Sequence, residues 1–372
     1  MLKKPIKSFL LIMLTFLLCE VIVFFYLKNF DPVILQVRKV LAELEIKIGY
    51  KSQPYLNYVN NTSQIDKFGN KPINKFGIRY WKEIDFEKPK DTYRILFLGG
   101  STTFGDVNDD YDVFARLIEK KIEKKLVENP EKFDFKKIEC LNAGVHGLTS
   151  AEILNHYHFK HQYLQPDMIV VHTGFNDAFA YSGINNVKYQ PDYNNIRRVY
   201  QNPRTPSKTE KLLLNSNIFS YFWIKNFYDI FLETTLEKSA FYHFTAGESW
   251  FPEHKNFTDS LHYNAFYKNI RLLVTEAKMN NSKVILCPVV ADINRMPPEL
   301  GKNLLNGLSF HTTILEKISL ETNSLYCKLP QEDFGTELFL NDDGIHVNEA
   351  GEKLKADFIY NCIINLISKE IN

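Results

Sequence analysis

A serine directly after an apolar run, and a histidine with a carboxylate three residues before it, are the parts of a nucleophilic apparatus. The run is Ile95-Leu96-Phe97-Leu98, and Gly99-Gly100-Ser101-Thr102 follows it. The second part is Asp343-Gly344-Ile345-His346, close to the C-terminus. Serine is a weak nucleophile at neutral pH and needs a base to take its proton. Histidine has the intrinsic pKa for that task, and a carboxylate fixes the imidazole tautomer and stabilises the imidazolium. Ser101 is the candidate nucleophile, His346 the candidate base and Asp343 the candidate orienting acid, with Asp342 a neighbouring acid. With base and orienter on one short loop, a single turn positions both.

These residues need a scaffold, and the chain predicts one after Asp91. Tyr93 to Gly100 reads as a buried strand, followed by strands over Lys137–Leu141, Asp167–Thr173, Lys283–Val290 and Ser324–Leu329. Helical spacing covers Tyr111–Leu126, Ser150–Tyr163, Leu304–Leu320 and Glu349–Ile367, with Thr149 or Ser150 as an N-cap. Strands alternating with helices imply a parallel sheet covered on both faces. Such sheets bind ligands beyond the carboxyl ends of their strands.

Between the third and fourth strands the chain is too long for one crossover. Residues 180–260 contain Arg197, Arg198, Arg204, the aromatic run Phe219-Ser220-Tyr221-Phe222-Trp223, and Trp250-Phe251. They read as an insertion over the site, a lid or substrate wall. A second membrane contact is the competing reading, but Lys225 and Asp229 interrupt the apolar run, so it falls short of a span.

Four short segments, in order, resemble the blocks of the SGNH/GDSL hydrolase superfamily of esterases, lipases and deacetylases. They are Leu98-Gly99-Gly100-Ser101-Thr102-Thr103, Asn142-Ala143-Gly144-Val145-His146-Gly147-Leu148-Thr149-Ser150, Thr173-Gly174-Phe175-Asn176-Asp177 and Asp343-Gly344-Ile345-His346. The resemblance covers roughly 92–180 and 283–365, and four blocks in order are far more specific than one short Gly-Ser string. It implies an α/β protein: a three-layer α/β/α, flavodoxin-like arrangement with a mostly parallel five-stranded sheet. The family spacing selects Asp343 over Asp342. It also implies an oxyanion hole from the Ser101 amide, the Gly147 amide and the Asn176 side chain, with Gly144 a turn glycine and Asp177 a brace or helix cap. No metal and no organic cofactor is implied. Gly-Gly-Ser-Thr replaces the familiar Gly-Asp-Ser-Leu, so no acid precedes the nucleophile. Phe175 stands where many members carry glycine, which would narrow an acyl pocket towards acetyl.

The remaining composition sets limits. With 45 Lys+Arg against 44 Asp+Glu, the formal net charge is +1, and no basic excess points to nucleic acid. Five cysteines, an odd count without CxxC spacing, form no zinc pattern, and Cys140 and Cys287 read as buried thiols in strands. His156, His158 and His161 invite a metal reading, but only His158 and His161 have helical ligand spacing and no carboxylate joins them, so they read as helix surface and core edge.

At the N-terminus, Lys3, Lys4 and Lys7 precede an apolar run from Ser8 to Leu27, broken only by Glu20. Twenty helical residues span about 30 Å, enough to cross a bilayer core. A central Glu20 costs roughly 3 kcal/mol, which the apolar neighbours offset. The run exits through Phe24-Phe25-Tyr26-Leu27-Lys28 without a small-residue cleavage site, and Leu18 before Cys19 argues against lipoprotein processing. Residues 1–30 therefore read as an uncleaved membrane anchor with a cytoplasmic N-terminus. Residues 31–90 read as a juxtamembrane helix (33–49) and a polar strap, and 91–372 as the hydrolase domain.

The expected function is ester hydrolysis through an acyl-enzyme on Ser101, outside the cytoplasm, on an acylated glycan or lipid. An O-acyltransferase uses the same chemistry with a sugar hydroxyl in place of water. An idle scaffold that binds glycan or an envelope partner is the alternative of another class; the joint presence of Ser101, Gly147, Asn176, Asp343 and His346 weighs against it.

Overall fold

A computed structural model describes residues 3–47, 50–63, 73–105, 113–181, 189–197, 208–235, 261, 263–295, 298–340 and 344–368. The chain divides into two compact units, Met1–Lys51 with Tyr200–His243, and Ser52–Val199 with Phe244–Asn372.

The larger unit is built on five parallel strands: β1 (Thr92–Gly99), β2 (Lys137–Asn142), β3 (Met168–Thr173), β4 (Lys283–Pro288) and β5 (Leu325–Tyr326). Their spatial order is β2-β1-β3-β4-β5. Registers such as Ile95 opposite Cys140 and Met168 put apolar residues side by side across the sheet. Central strands buried on both faces read as continuous apolar runs rather than alternating ones, as Ile95-Leu96-Phe97-Leu98 does.

Helices cover both faces. Ile95, Phe97, Cys140, Val170 and Ile285 pack with α4 (Phe114–Glu128) and α11 (Glu349–Ile367) in one core. The opposite layer holds α5 (Ser150–Phe159), α9 (Ala265–Met279) and α10 (Pro298–Thr322). Thr149 caps α5 in a capping box with Glu152, which satisfies two otherwise orphaned helix donors. Asn348 caps α11, accepting from the Ala350 and Gly351 amides.

The sequence expectations hold for the class and differ in detail. The helix expected over Ser150–Tyr163 ends at Phe159, and the expected Ser324–Leu329 strand pairs only over Leu325–Tyr326. Helix α9 was not foreseen. Cys140 and Cys287 are buried thiols, whereas Cys327, just after β5, forms a disulfide with Cys362 of α11. His156 is buried and bonds the Leu56 carbonyl at 2.9 Å, His161 is buried, and His158 meets Glu276 Oε1 of α9 at 2.6 Å.

The strap ahead of β1 packs on this unit through buried Leu56, Tyr58, Ile73, Ile78 and Tyr80. Arg79 forms an antiparallel bridge to Asn142 at the end of β2.

In the smaller unit, α1 (Lys3–Phe30), α2 (Pro32–Lys47), α7 (Lys208–Leu213) and α8 (Asn217–Thr235) pack together. Leu27, Ile34, Leu214, Trp223 and Ile224 form its core. Lys7–Phe30 of α1 is long and apolar enough to cross a membrane. Residues 182–188, 198–207 and 236–260 of the insertion, with Arg198, Arg204, Trp250 and Phe251, lie outside the described residues.

Candidate active site

In a sheet of order 2-1-3-4-5 the strand order reverses between β1 and β3, and ligands bind in the crevice beyond those carboxyl ends. Ser101 follows β1 and Asn176 follows β3, so both lie at that crevice. Ser101 opens a four-residue helix, α3 (Ser101–Phe104), capped by Gly100. Asn176 lies in α6 (Phe175–Ala178).

The two loops touch at Gly100. A Cβ there would come within 2.5 Å of Asn176 Nδ2 and 3.6 Å of the Leu148 carbonyl. Only glycine admits the asparagine amide beside the serine. Asn176 Nδ2 donates to the Leu148 carbonyl at 2.8 Å, which fixes its amide plane and leaves its second N–H for another acceptor. Gly147, just before Leu148, has φ of 72°, a left-handed conformation that suits glycine in this turn. Asp177 is fully buried and accepts from the Ser150 amide at 2.9 Å and from Ser150 Oγ at 2.6 Å. It therefore braces the N-terminus of α5. Burial pushes its carboxyl up to about 7 against these hydrogen bonds.

The carbonyls at the end of α3 all find donors. A helix C-terminus leaves such groups without intrahelical partners. Lys355 of α11 donates to Thr102 at 2.9 Å. Asn142 Nδ2 donates to Thr103 at 2.8 Å and Phe104 at 3.1 Å. Arg79 Nη1 donates to Phe104 at 3.0 Å and also to Gly105. Lys355 is itself paired with Glu352 at 2.5 Å, and Glu352 Oε2 accepts the Phe114 amide at 2.7 Å. The short helix carrying Ser101 is thus clamped by the strap, β2 and α11.

Below it, buried His172, the penultimate residue of β3, lies beside Thr103. Thr103 Oγ1 donates to the His172 carbonyl at 2.9 Å and lies 3.1 Å from Nδ1, an arrangement that assigns the proton to Nδ1. Burial holds this imidazole well below its usual range, with the Lys355 charge adding to the effect.

His346 shares a cleft with Thr102, His172, Val290, Glu352 and Lys355. Its loop is clamped: the Leu340 amide donates to the His346 carbonyl at 2.8 Å, Val347 bridges Phe339, and the Asp292 amide donates to Gly344 at 2.6 Å. Asp342 and Asp343 lie outside the described residues. Phe175 is buried with Val289, Ala291, Leu304 and Leu308, and Ile345 packs on the same cluster. It therefore joins the Asn176 loop to the His346 loop.

A second network supports the Asn176 loop. His311 of α10 donates from Nδ1 to the Gly174 carbonyl at 2.7 Å, and its Nε2 lies 2.6 Å from Tyr193 Oη. Asn264 Nδ2 donates to the same phenol oxygen at 3.1 Å. The bond from Nδ1 leaves Nε2 as acceptor, so Tyr193 donates. Burial brings the His311 imidazole down to about 3, which keeps it neutral. Arg79, Tyr193, Asn264, His311, Glu352 and Lys355 all lie outside the four sequence motifs. The signal was present for His311, Glu352 and Lys355. His311 follows the helical spacing of buried Leu308, Leu315 and Ile318, and Glu352 and Lys355 fall in register with buried Ala356, Ile359 and Ile363.

No family model and no curated protein matches this chain. Solved structures similar to it include a lipase/acylhydrolase from Enterococcus faecalis, 16% identical, covering 75% of this chain and 99% of that one with a TM-score of 0.43. An acetyl xylan esterase is 15% identical, covering 73% of this chain and 100% of that one with a TM-score of 0.41. An acetylxylan esterase from Geobacillus stearothermophilus, in a catalytic-mutant form, is 15% identical over 72% of this chain and 93% of its own, with a TM-score of 0.41.

Proposed function

We propose that this chain is a membrane-anchored serine ester hydrolase of the SGNH/GDSL type. Ser101 attacks the ester carbonyl as His346 takes its proton, with Asp343 orienting the imidazole. The Ser101 and Gly147 amides and the second N–H of Asn176 receive the developing oxyanion. Collapse expels the alcohol, to which His346 returns the proton. Water, deprotonated by His346, then releases the acid and restores Ser101. The single observation that carries this reading is the Asn176 amide packed over Gly100, beside Ser101.

The substrate is an O-acylated envelope polysaccharide or lipid with a short acyl group such as acetyl. The buried Phe175 wall supports the short acyl group. Residues 1–30 anchor the chain and the chemistry belongs to 91–372. The Cys327–Cys362 disulfide supports placement on the oxidising, extracytoplasmic side. The test is hydrolysis of p-nitrophenyl acetate, butyrate and octanoate by the full-length chain and by Ser101→Ala. The reading requires turnover that falls with chain length and is lost in the alanine variant. Turnover unchanged by that substitution refutes it.

A further inference from the structure

Glu20 interrupts the apolar run of α1, and the structure gives its carboxylate a partner in the insertion. Oε2 accepts the Asn217 amide at 2.6 Å, Oε1 accepts the Ile218 amide at 3.4 Å, and Ser216 Oγ donates to Oε1. Ser216 Oγ in turn accepts the Phe219 amide at 3.1 Å. The first three amides of α8 are therefore all satisfied. Arg38 of α2 donates to Asn217 Oδ1 at 3.0 Å and brings a compensating positive charge to the cluster.

From that point α8 runs alongside α1 in the same direction. The rings of Tyr26 and Tyr221 stand 5.8 Å apart edge to face, and Trp223 and Ile224 bury against Leu27 and Ile34. Lys28 lies eight residues past Glu20, and Lys225 eight residues past Asn217, about 12 Å along each helix. Lys225 donates to the Tyr221 phenol at 3.2 Å, and the Tyr221 ring faces Tyr26 near the end of α1. The two lysines thus mark one level, and between it and Glu20 both helices are apolar outside: Val21, Ile22 and Phe25 on α1, Phe222 on α8. Leu212 and Leu213, the last residues of α7, are exposed as well.

Water could satisfy a helix N-terminus at a protein surface. In hydrocarbon, backbone groups must be satisfied by protein, and an intramembrane carboxylate faces a partner. Glu20 meets both demands at once. We propose that α8 is a second lipid-contacting element of this chain, lying in the bilayer beside the α1 span with its N-terminus closed by Glu20. The occupant of its outer face is lipid acyl chain, up to the level of Lys28 and Lys225. The inference rests on the reading of α1 as a membrane span.

The test uses the full-length chain in phosphatidylcholine–phosphatidylglycerol vesicles carrying lipids spin-labelled on the acyl chain. A fluorophore is placed on Cys19, the exposed native thiol of α1. In a Cys19→Ser background it is placed instead on Phe222→Cys, Leu212→Cys or, as an aqueous control, Glu131→Cys. Lipid quenching of Phe222 and Leu212 probes to the extent seen at Cys19, with none at Glu131, is expected. Glu20→Ala should abolish quenching at Phe222 and leave it at Cys19, whereas Glu20→Gln, which keeps an acceptor oxygen, should retain both. Quenching at Cys19 without quenching at Phe222 and Leu212 overturns the inference while the anchor stands. No quenching at Cys19 overturns the anchor, and the inference with it.

Discussion

Replacing Lys355 with methionine should destabilise the fold far more than the loss of a surface charge. Lys355 and Glu352 expose only 3% and 2% of their side chains. The ammonium holds the Thr102 carbonyl and the carboxylate holds the Phe114 amide, so the pair joins α11 to the end of α3 and the start of α4. Lys355→Met removes one donor and leaves Glu352 buried without its counter-charge, a loss that costs about 3–5 kcal/mol. Glu352→Gln keeps an acceptor for Phe114 but strands the ammonium, with a cost of the same order. The double variant is neutral at this site, so it should be more stable than the sum of the single losses implies, by about 1–3 kcal/mol. Guanidinium unfolding of the full-length chain in detergent, followed by circular dichroism, measures all three variants. Because Thr102 follows Ser101, the single variants should also lower kcat more than they raise KM. Single losses of about 1 kcal/mol or less, the figure for exposed pairs, would refute the reasoning. So would additivity within about 0.5 kcal/mol.

Asn176→Ala should reduce kcat about 10²–10³-fold through loss of one donor of the proposed oxyanion hole, measured on p-nitrophenyl acetate with KM nearly unchanged; a purely KM effect would remove Asn176 from that role. Removing the Cys327–Cys362 disulfide, whose sequence separation is 35, should cost about 4 kcal/mol on the chain-entropy account, read as a lowered melting temperature in Cys327→Ala/Cys362→Ala. An unchanged melting temperature would show that α11 needs no such tether. Burial holds His311 at about 3 in the fold, whereas the unfolded chain protonates it near pH 6.5. Its stability contribution is thus present above about pH 6.5 and lost as pH falls towards 3. His311→Gln should flatten stability against pH between 6 and 4 by about 1.4 kcal/mol per pH unit; parallel curves would contradict the assignment. Asp177, raised to about 7, has the opposite sign: its contribution is lost as pH rises from about 4 to 7, and Asp177→Asn should remove that slope.

The sheet was legible because parallel strands are buried on both faces and leave apolar runs that stand out locally. The candidates Ser101, Asn176 and His346 stand out in the sequence because each lies in a contiguous motif, and Ser101 and Asn176 follow neighbouring strands of the sheet. What the sequence hid is pairing across distance. Arg79 reads as one cation in a polar strap, and nothing local says that it closes the Phe104 and Gly105 carbonyls. Cys327 lies just after β5 and Cys362 on α11, and only the packing of α11 on the sheet brings them together. Glu20 read as a cost within an apolar run because its acceptor role depends on Ser216 and Asn217, nearly two hundred residues away. Helix α9 is hidden in the sequence because it follows a long stretch whose composition obscures where the regular alternation resumes.

The central claim is that Ser101 becomes acylated. Treating the full-length chain with a fluorophosphonate and mapping the adduct by peptide mass spectrometry tests it most directly. The account predicts one adduct, on Ser101, formed in parallel with loss of esterase activity and absent from Ser101→Ala. An adduct on another residue, or esterase activity that survives complete modification of Ser101, would contradict it.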